Sequence, residues 1–209
     1  EERNVLFARV RVRSYAAGET IFLMGSAGDS LIAVVSGSVR ISVPSPDGKE
    51  IVLATIQPME VFGEIALLDG QKRTADAMAI GVCTLAVLER HDVLAFLKDN
   101  PKVWPKLVEV LCARLRNADR HIAELAFLEL PTRLAKRLLR LASAEGAETN
   151  GRMLQVQLSQ RELGKICGTS RESINKYLGI WQRRGIVRIE EGVITVTNRI
   201  ALEELANRA

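Results

Sequence analysis

Between Phe62 and Ala77 the chain reads FGEIALLDGQKRTADA. Gly63-Glu64 stands near one end and Arg73-Thr74 near the other, with apolar residues crowding both ends. A guanidinium offers a charge-assisted fork to an oxyanion. A carboxylate accepts from hydroxyl groups, and a hydroxyl can donate. A short connection that gathers all three is equipped to hold a polar anionic group. The competing reading is a structural Glu64–Arg73 salt bridge, a poor source of stability when partly buried. A second polar set, Ser170, Arg171, Glu172, Asn175 and Lys176, falls within two helical turns far downstream. Other chemistry has little to build on. Cys83, Cys112 and Cys167 are far apart with no CxxC spacing, and His91 and His121 are the only histidines. That pattern argues against a metal centre, an iron–sulfur cluster or a disulfide framework. No poised nucleophile and base are visible either, so the chain does not read as an enzyme.

The 209 residues suffice for two modest domains, and 47% hydrophobic with 26% charged residues is ordinary for a globular protein. No apolar run is long enough for a membrane helix. No signal peptide is visible, and the start at Glu1 rather than Met leaves open residues ahead of it. Isolated cysteines suit a reducing cytoplasm. The net charge of +4 is unevenly placed. Residues 1–130 hold 15 Lys/Arg against 17 Asp/Glu, whereas residues 131–209 hold 14 against 8. The C-terminal part is therefore the one suited to a polyanion.

The elements that must position these groups follow from periodicity. From Tyr15 to about Glu89, short apolar runs alternate with glycine turns, which predicts a β-sandwich, barrel or jelly roll. LIAVVSGSVRISV reads as two strands about Ser36-Gly37, and Asp47-Gly48 as a hairpin turn. From about Asp99 to Leu128 the period becomes helical. Val108, Leu111, Leu115, Ala118, Ile122 and Leu125 are spaced as an a/d seam, which predicts a two-helix coiled coil and hence a homodimer. Pro131 predicts a break at Glu129-Leu130-Pro131. A further helix is expected over about Thr132–Ser143, then a polar loop over 145–152.

The stretch LSQRELGKICGTSRESINKYLGIWQRRG predicts two successive helices. Ser159 with Glu162, and Thr169 with Glu172, each fit a capping box. Gly168 suits the end of the first helix. Leu163 and Ile166 are expected to face inward from one helix, and Ile174, Leu178 and Trp181 from the other. This is a helix-turn-helix plan whose second helix presents Ser170, Arg171, Glu172, Asn175 and Lys176 to a major groove. Arg171 suits guanine and Glu172 the amino group of cytosine. Gln160, Ser170 and Arg183 suit phosphates. A structural pairing of Glu172 with Lys176, at i,i+4, is the plainer alternative. IVRIEEGVITV reads as a hairpin at Glu191-Gly192, which makes a winged variant.

Together these elements resemble the cyclic-AMP receptor protein/fumarate–nitrate regulator family of bacterial transcription factors over nearly the whole chain. FGEIALL…KRTA resembles the family's phosphate-binding cassette, ELAFLEL its hinge and SRESINKYL its recognition helix. The resemblance implies an α+β chain in three segments. Residues 1–98 would form a β-roll (jelly-roll) cyclic-nucleotide-binding domain, 99–130 a long dimerisation helix and hinge, and 131–209 a winged helix-turn-helix. It implies an allosteric cyclic nucleotide, cyclic AMP first and cyclic GMP as the alternative, bound without metal. Arg73 would take the phosphate, Glu64 the ribose 2′-hydroxyl, and the amides of Glu64, Ile65 and Ala66 would add donors. Gly63 would admit the backbone, and Thr74 would meet phosphate or base. Glu64 is also expected to orient Arg73, and Arg114 to pair with Glu64. Family hydroxyl positions on the dimer helix fall at Ala118 and Asp119, which carry none; an aspartate suits the paired donors of guanine. The implied partners are a second copy, double-stranded DNA with a near-palindromic TGTGA-like site, and RNA polymerase, for which loop 145–152 is a candidate contact. Lys176 replaces the family's usual arginine and loses its fork. A ligand-independent regulator of the same family, or remotely an enzyme acting on cyclic nucleotides, are the rival readings.

Overall fold

A computed structural model describes residues 9–45, 50–144, 154–156, 158–190 and 192–207. The Asp47-Gly48 turn, loop 145–152 and Glu191 lie outside the described residues. The chain divides into two compact units, residues 1–116 and 117–209. The segment expected at 99–130 falls partly in each.

Among the described residues the first unit has eight strands: β1 (Arg11–Tyr15), β2 (Thr20–Phe22), β3 (Ser30–Ser36), β4 (Val39–Pro44), β5 (Glu50–Ile56), β6 (Val61–Phe62), β7 (Asp76–Ala79) and β8 (Cys83–Glu89). They form two antiparallel four-stranded sheets, in the orders β1-β8-β3-β6 and β2-β7-β4-β5. Alternate residues of β3, β7 and β8 turn inward, as the twofold strand period requires. Ile32, Val34 and Leu85 from one sheet meet Val39, Ile56 and Ala77 from the other in one core. This is the expected β-roll. Ser36 and Val39 flank the turn read from the sequence, with Gly37 at φ 79°.

Two short helices among the described residues join the roll: α1 (Glu64–Asp69) and α2 (Arg90–Asp99). Leu67 of α1 packs with Val93 and Leu97 of α2 in a small separate core. Arg90 Nε donates to Leu67 O at 2.6 Å, which ties the side chain that opens α2 to the backbone of α1. The long helix begins later than its periodicity suggests. A 3₁₀ turn spans Pro101–Val103, and α3 runs Trp104–Phe127. Pro101 disfavours helix at Asn100, whose backbone and side-chain amides both donate to Phe96 O, at 2.9 and 3.0 Å, and close α2. No residue of α3 is buried. Of the seam, Val108, Leu115 and Ile122 are 50%, 63% and 64% exposed, an apolar stripe without cover in the single chain.

The next helix, α4 (Leu130–Ala144), starts two residues before the predicted Thr132. Pro131 is accommodated because the first turn needs no N–H from it. The second unit continues with β9 (Leu154–Val156), α5 (Gln160–Cys167), α6 (Arg171–Arg183), β10 (Val187–Glu190), β11 (Val193–Val196) and α7 (Arg199–Ala206). The strands pair antiparallel in the order β10-β11-β9, so the wing is a three-stranded sheet. Leu134 and Leu138 of α4, Leu163 of α5, and Ile174, Leu178 and Trp181 of α6 share one core. Ile166 is only half-buried, and Cys167, 4% exposed, takes the inward place one residue on.

Candidate functional site

Two places carry the polar groups singled out above, one in each unit. In the first unit, Gly63, Glu64, Ile65, Ala66, Arg73 and Thr74 line one cleft, joined by Phe22 and by Arg114 of α3. Gly63 caps α1 at φ 85°, a left-handed conformation open to glycine. A Cβ there would stand 2.5 Å from Arg73 Nη1 and 3.1 Å from Ser30 O. The backbone approach therefore needs glycine twice over. The amides of Glu64, Ile65 and Ala66 open α1 and have no acceptor within the helix.

Arg73 is 4% exposed, yet among the described residues no carboxylate pairs with it. Nη1 donates to Gly63 O at 2.9 Å, and Nη2 donates to Ser30 O at 3.0 Å and to Ser30 Oγ at 2.8 Å. The guanidinium carbon lies 4.3 Å above the Phe22 ring, and Phe22 packs on Phe62 with centroids 5.9 Å apart. The expectation that Glu64 orients Arg73 is corrected: neutral oxygens and an aromatic face do so. Burial pushes the Arg73 guanidinium down from its ordinary value, opposed by the charges of Asp29 and Glu64. A buried cation with only neutral acceptors, and with Nε lacking any hydrogen-bond partner, gains from an incoming anion.

Glu64 is 1% exposed. Its Oε2 meets Arg114 Nη1 in an ion pair, the pairing anticipated from the sequence. Arg114 Nη2 also donates to Val61 O. Neither Glu64 oxygen accepts an aligned hydrogen bond among the described residues. A buried carboxylate in that condition suits a hydroxyl donor. Thr74 is exposed at the cleft, beside buried Arg73. Ala118 and Asp119 lie outside this unit, exposed on α3. Ser30 and Phe22 were missed because strand pairing, not sequence proximity, brings them to Arg73. The only signal in the sequence is a serine opening the apolar run of β3.

In the second unit, α5 and α6 form the expected helix-turn-helix. Ser159 caps α5 in a full capping box: Glu162 N donates to Ser159 Oγ at 3.2 Å, and Ser159 N donates to Glu162 Oε2 at 2.9 Å. Gly168 ends the helix at φ 63°. A Cβ on Gly164 would stand 2.8 Å from Thr169 O, so the turn folds tightly against α5. The cap of α6 is corrected. It is Ser170, accepting from Ser173 N at 3.2 Å, not Thr169 with Glu172. Glu172 does not cap with Thr169; its carboxyl is held below its ordinary range by its own backbone amide and by the Ser170 hydroxyl. Arg171, Glu172, Asn175 and Lys176 are all exposed, as is Ser170, while Ile174 and Leu178 are buried. Lys176 Nζ lies 5.9 Å from the Tyr177 ring centroid. Gln160 is half-buried, and Arg183 is exposed at the far end of α6.

Comparison with known proteins agrees with both halves. Residues 12–100 match the family model described as cyclic nucleotide-binding domain, and residues 132–205 match that of the Crp-like helix-turn-helix domain. The chain is 34% identical over 196 residues to the CRP-like cAMP-activated global transcriptional regulator of Mycobacterium tuberculosis, covering 93% of this chain and 86% of that one. It is 35% identical over 206 residues to the cyclic AMP receptor protein of Thermus thermophilus, covering 99% and 93%. Among solved structures, a CRP/FNR-family transcriptional regulator of Thermus thermophilus superposes with a TM-score of 0.80 at 29% identity, covering 95% of this chain and 99% of that one. The chain therefore belongs to the cyclic-AMP receptor protein/fumarate–nitrate regulator family and is a DNA-binding transcriptional regulator with a cyclic-nucleotide-binding domain.

Proposed function

We propose that the protein is a homodimeric regulator switched by a cyclic nucleotide seated in the cleft of the first unit, with cyclic AMP as its first ligand. One observation carries this reading. Glu64 and Arg73 are both buried, and each holds an atom with no hydrogen-bond partner at the same cleft. The phosphate goes to Arg73 and the first amides of α1, because a helix start and a guanidinium both favour an anion. The ribose 2′-hydroxyl goes to Glu64. Arg114 already meets that carboxylate, so the nucleotide must share or displace it. That competition gives the ligand a differential contact with α3, which any shift of an equilibrium requires. The names of the relatives support cyclic AMP.

Cyclic GMP is the second reading, favoured by Thr74 at the cleft and by Asp119 where the family's activators carry a hydroxyl. A carboxylate accepts both the N1–H and the 2-amino group of guanine. Titration with each nucleotide decides, and the guanine reading fails if Asp119→Ala leaves cyclic-GMP affinity unchanged.

The uncovered stripe Val108, Leu111, Leu115, Ala118, Ile122 and Leu125 is the proposed dimer contact. The dimer presents two α6 helices to successive major grooves of a near-palindromic site. Arg171, Glu172, Asn175 and Lys176 face base edges, while Gln160 and Ser170 face phosphates. RNA polymerase is the further partner, and the cytoplasm is the compartment in which such a regulator meets both.

A further inference from the structure

A second cluster of cations, inside the second unit, has no part in the reading above. His121 and Glu124 of α3, Arg133 and Arg137 of α4, and Cys167 at the end of α5 line one narrow pocket. Arg133 spends its terminal nitrogens on helix ends. Nη1 donates to Leu128 O at 2.9 Å, and Nη2 to Cys167 O at 3.4 Å. Its Nε is buried without a partner, and so is His121 Nε2. Arg137 has no ion pair or hydrogen bond among the described residues. Glu124 is the carboxylate of the pocket, and Arg140 already engages it.

Arg133 and Arg137 thus line a half-dry pocket whose one carboxylate, Glu124, is already engaged by Arg140 from outside the lining. Burial pushes His121 down from its ordinary value; Arg137 adds to this, Glu124 opposes it, and Arg140 and Arg133 reinforce it. Burial also lowers Arg137. The Cys167 thiol, raised to about 11 by burial, supplies no counter-charge at neutral pH. Crowded like charge in a medium less polar than water is costly. An anion with several acceptor oxygens would relieve it and satisfy the three idle donors together. The pocket is too narrow for a nucleoside.

We propose that this pocket binds one small tetrahedral oxyanion of the phosphate class, gripped by Arg137 and the Arg133 Nε–H, with His121 donating from Nε2. The anion then links the end of α3 to α4 and α5. Its source is either a free ion or a DNA backbone phosphate, and the test below separates them.

The chain has two histidines, so ¹³C-labelled imidazoles give two resonances. His91, 76% exposed, serves as the internal control. Sulfate is the probe because it does not titrate near neutral pH, and chloride at matched ionic strength is the reference. Sulfate should raise the His121 pKa by about one unit relative to chloride, because a bound anion favours the imidazolium, and leave His91 in place. Arg137→Gln should abolish that response while keeping a cooperative melt in chloride. If the variant does not fold, the wild-type comparison of sulfate with chloride still decides. A His121 response to inorganic phosphate without DNA assigns the site to a free ion. A response only to operator duplex, reversed by sulfate, assigns it to a backbone phosphate. Identical His121 titration in chloride, sulfate, phosphate and duplex overturns the proposal.

Discussion

Glu64→Gln keeps the shape of a side chain that is 1% exposed and removes only its charge. If Glu64 holds a ribose 2′-hydroxyl, the wild-type protein makes a hydrogen bond to a charged acceptor, worth about 2.2 kcal/mol in the middle of the usual range. The glutamine carbonyl still accepts, but a neutral bond is worth about 1 kcal/mol. At 1.4 kcal/mol per tenfold, deleting the hydroxyl should weaken binding about 40-fold in the wild type and only about fivefold in the variant. The assay is calorimetric titration of both proteins with cyclic AMP and 2′-deoxy cyclic AMP. The cycle cancels what the release of Arg114 does to either ligand, since the Glu64–Arg114 ion pair is lost equally in both arms. If Glu64 is merely a structural partner of Arg114, the variant loses stability but the 2′-deoxy penalty is the same in both proteins. Equal penalties would refute the assignment of Glu64 to the sugar.

Ile122→Asp places a charge in a stripe whose Ile122 is 64% exposed in the single chain, so the fold should persist while sedimentation shows monomer in place of dimer; a persisting dimer would remove α3 as the interface. Ser170→Ala should cost about 1 kcal/mol by removing the α6 cap, and Thr169→Ala about 0.5 kcal/mol or less in chemical denaturation, reversing the order the sequence suggests. Arg171→Ala should cost about 1–3 kcal/mol at one base pair of the site and relax selectivity there, whereas a uniform loss over a panel of single-base operator variants would mark Arg171 as a phosphate contact.

Legibility in the sequence followed the range of the interactions. Gly63, Glu64, Arg73 and Thr74 stood out because one short connection carries them all. The strands of the roll and the α5–α6 pair were readable because twofold and helical periods, glycine turns and the Ser159 box are local signals. Arg114 was reachable because it sits on a face of α3 distinct from the seam. What positions Arg73 was not readable. Ser30 lies 43 residues away and meets it only once β3 is paired. The cap of α6 was misplaced by one residue because Thr169 with Glu172 fits the box, whereas Ser170, followed three residues on by Ser173, caps with its hydroxyl alone. The helix α7 went unread: it is short, and its Asn198 cap, accepting from Ala201 N at 3.0 Å, follows a strand without a glycine or proline to announce it.

The central claim is that an anion gripped by Arg73 controls DNA binding. It is tested most directly by mobility shift on a near-palindromic duplex of TGTGA-like half-sites, with no nucleotide, cyclic AMP or cyclic GMP, using wild-type protein and Arg73→Gln. The account predicts that nucleotide tightens wild-type binding by about tenfold or more, a coupling within the usual range, and leaves Arg73→Gln unresponsive though still dimeric. Wild-type protein that binds the duplex equally well with and without either nucleotide would contradict it.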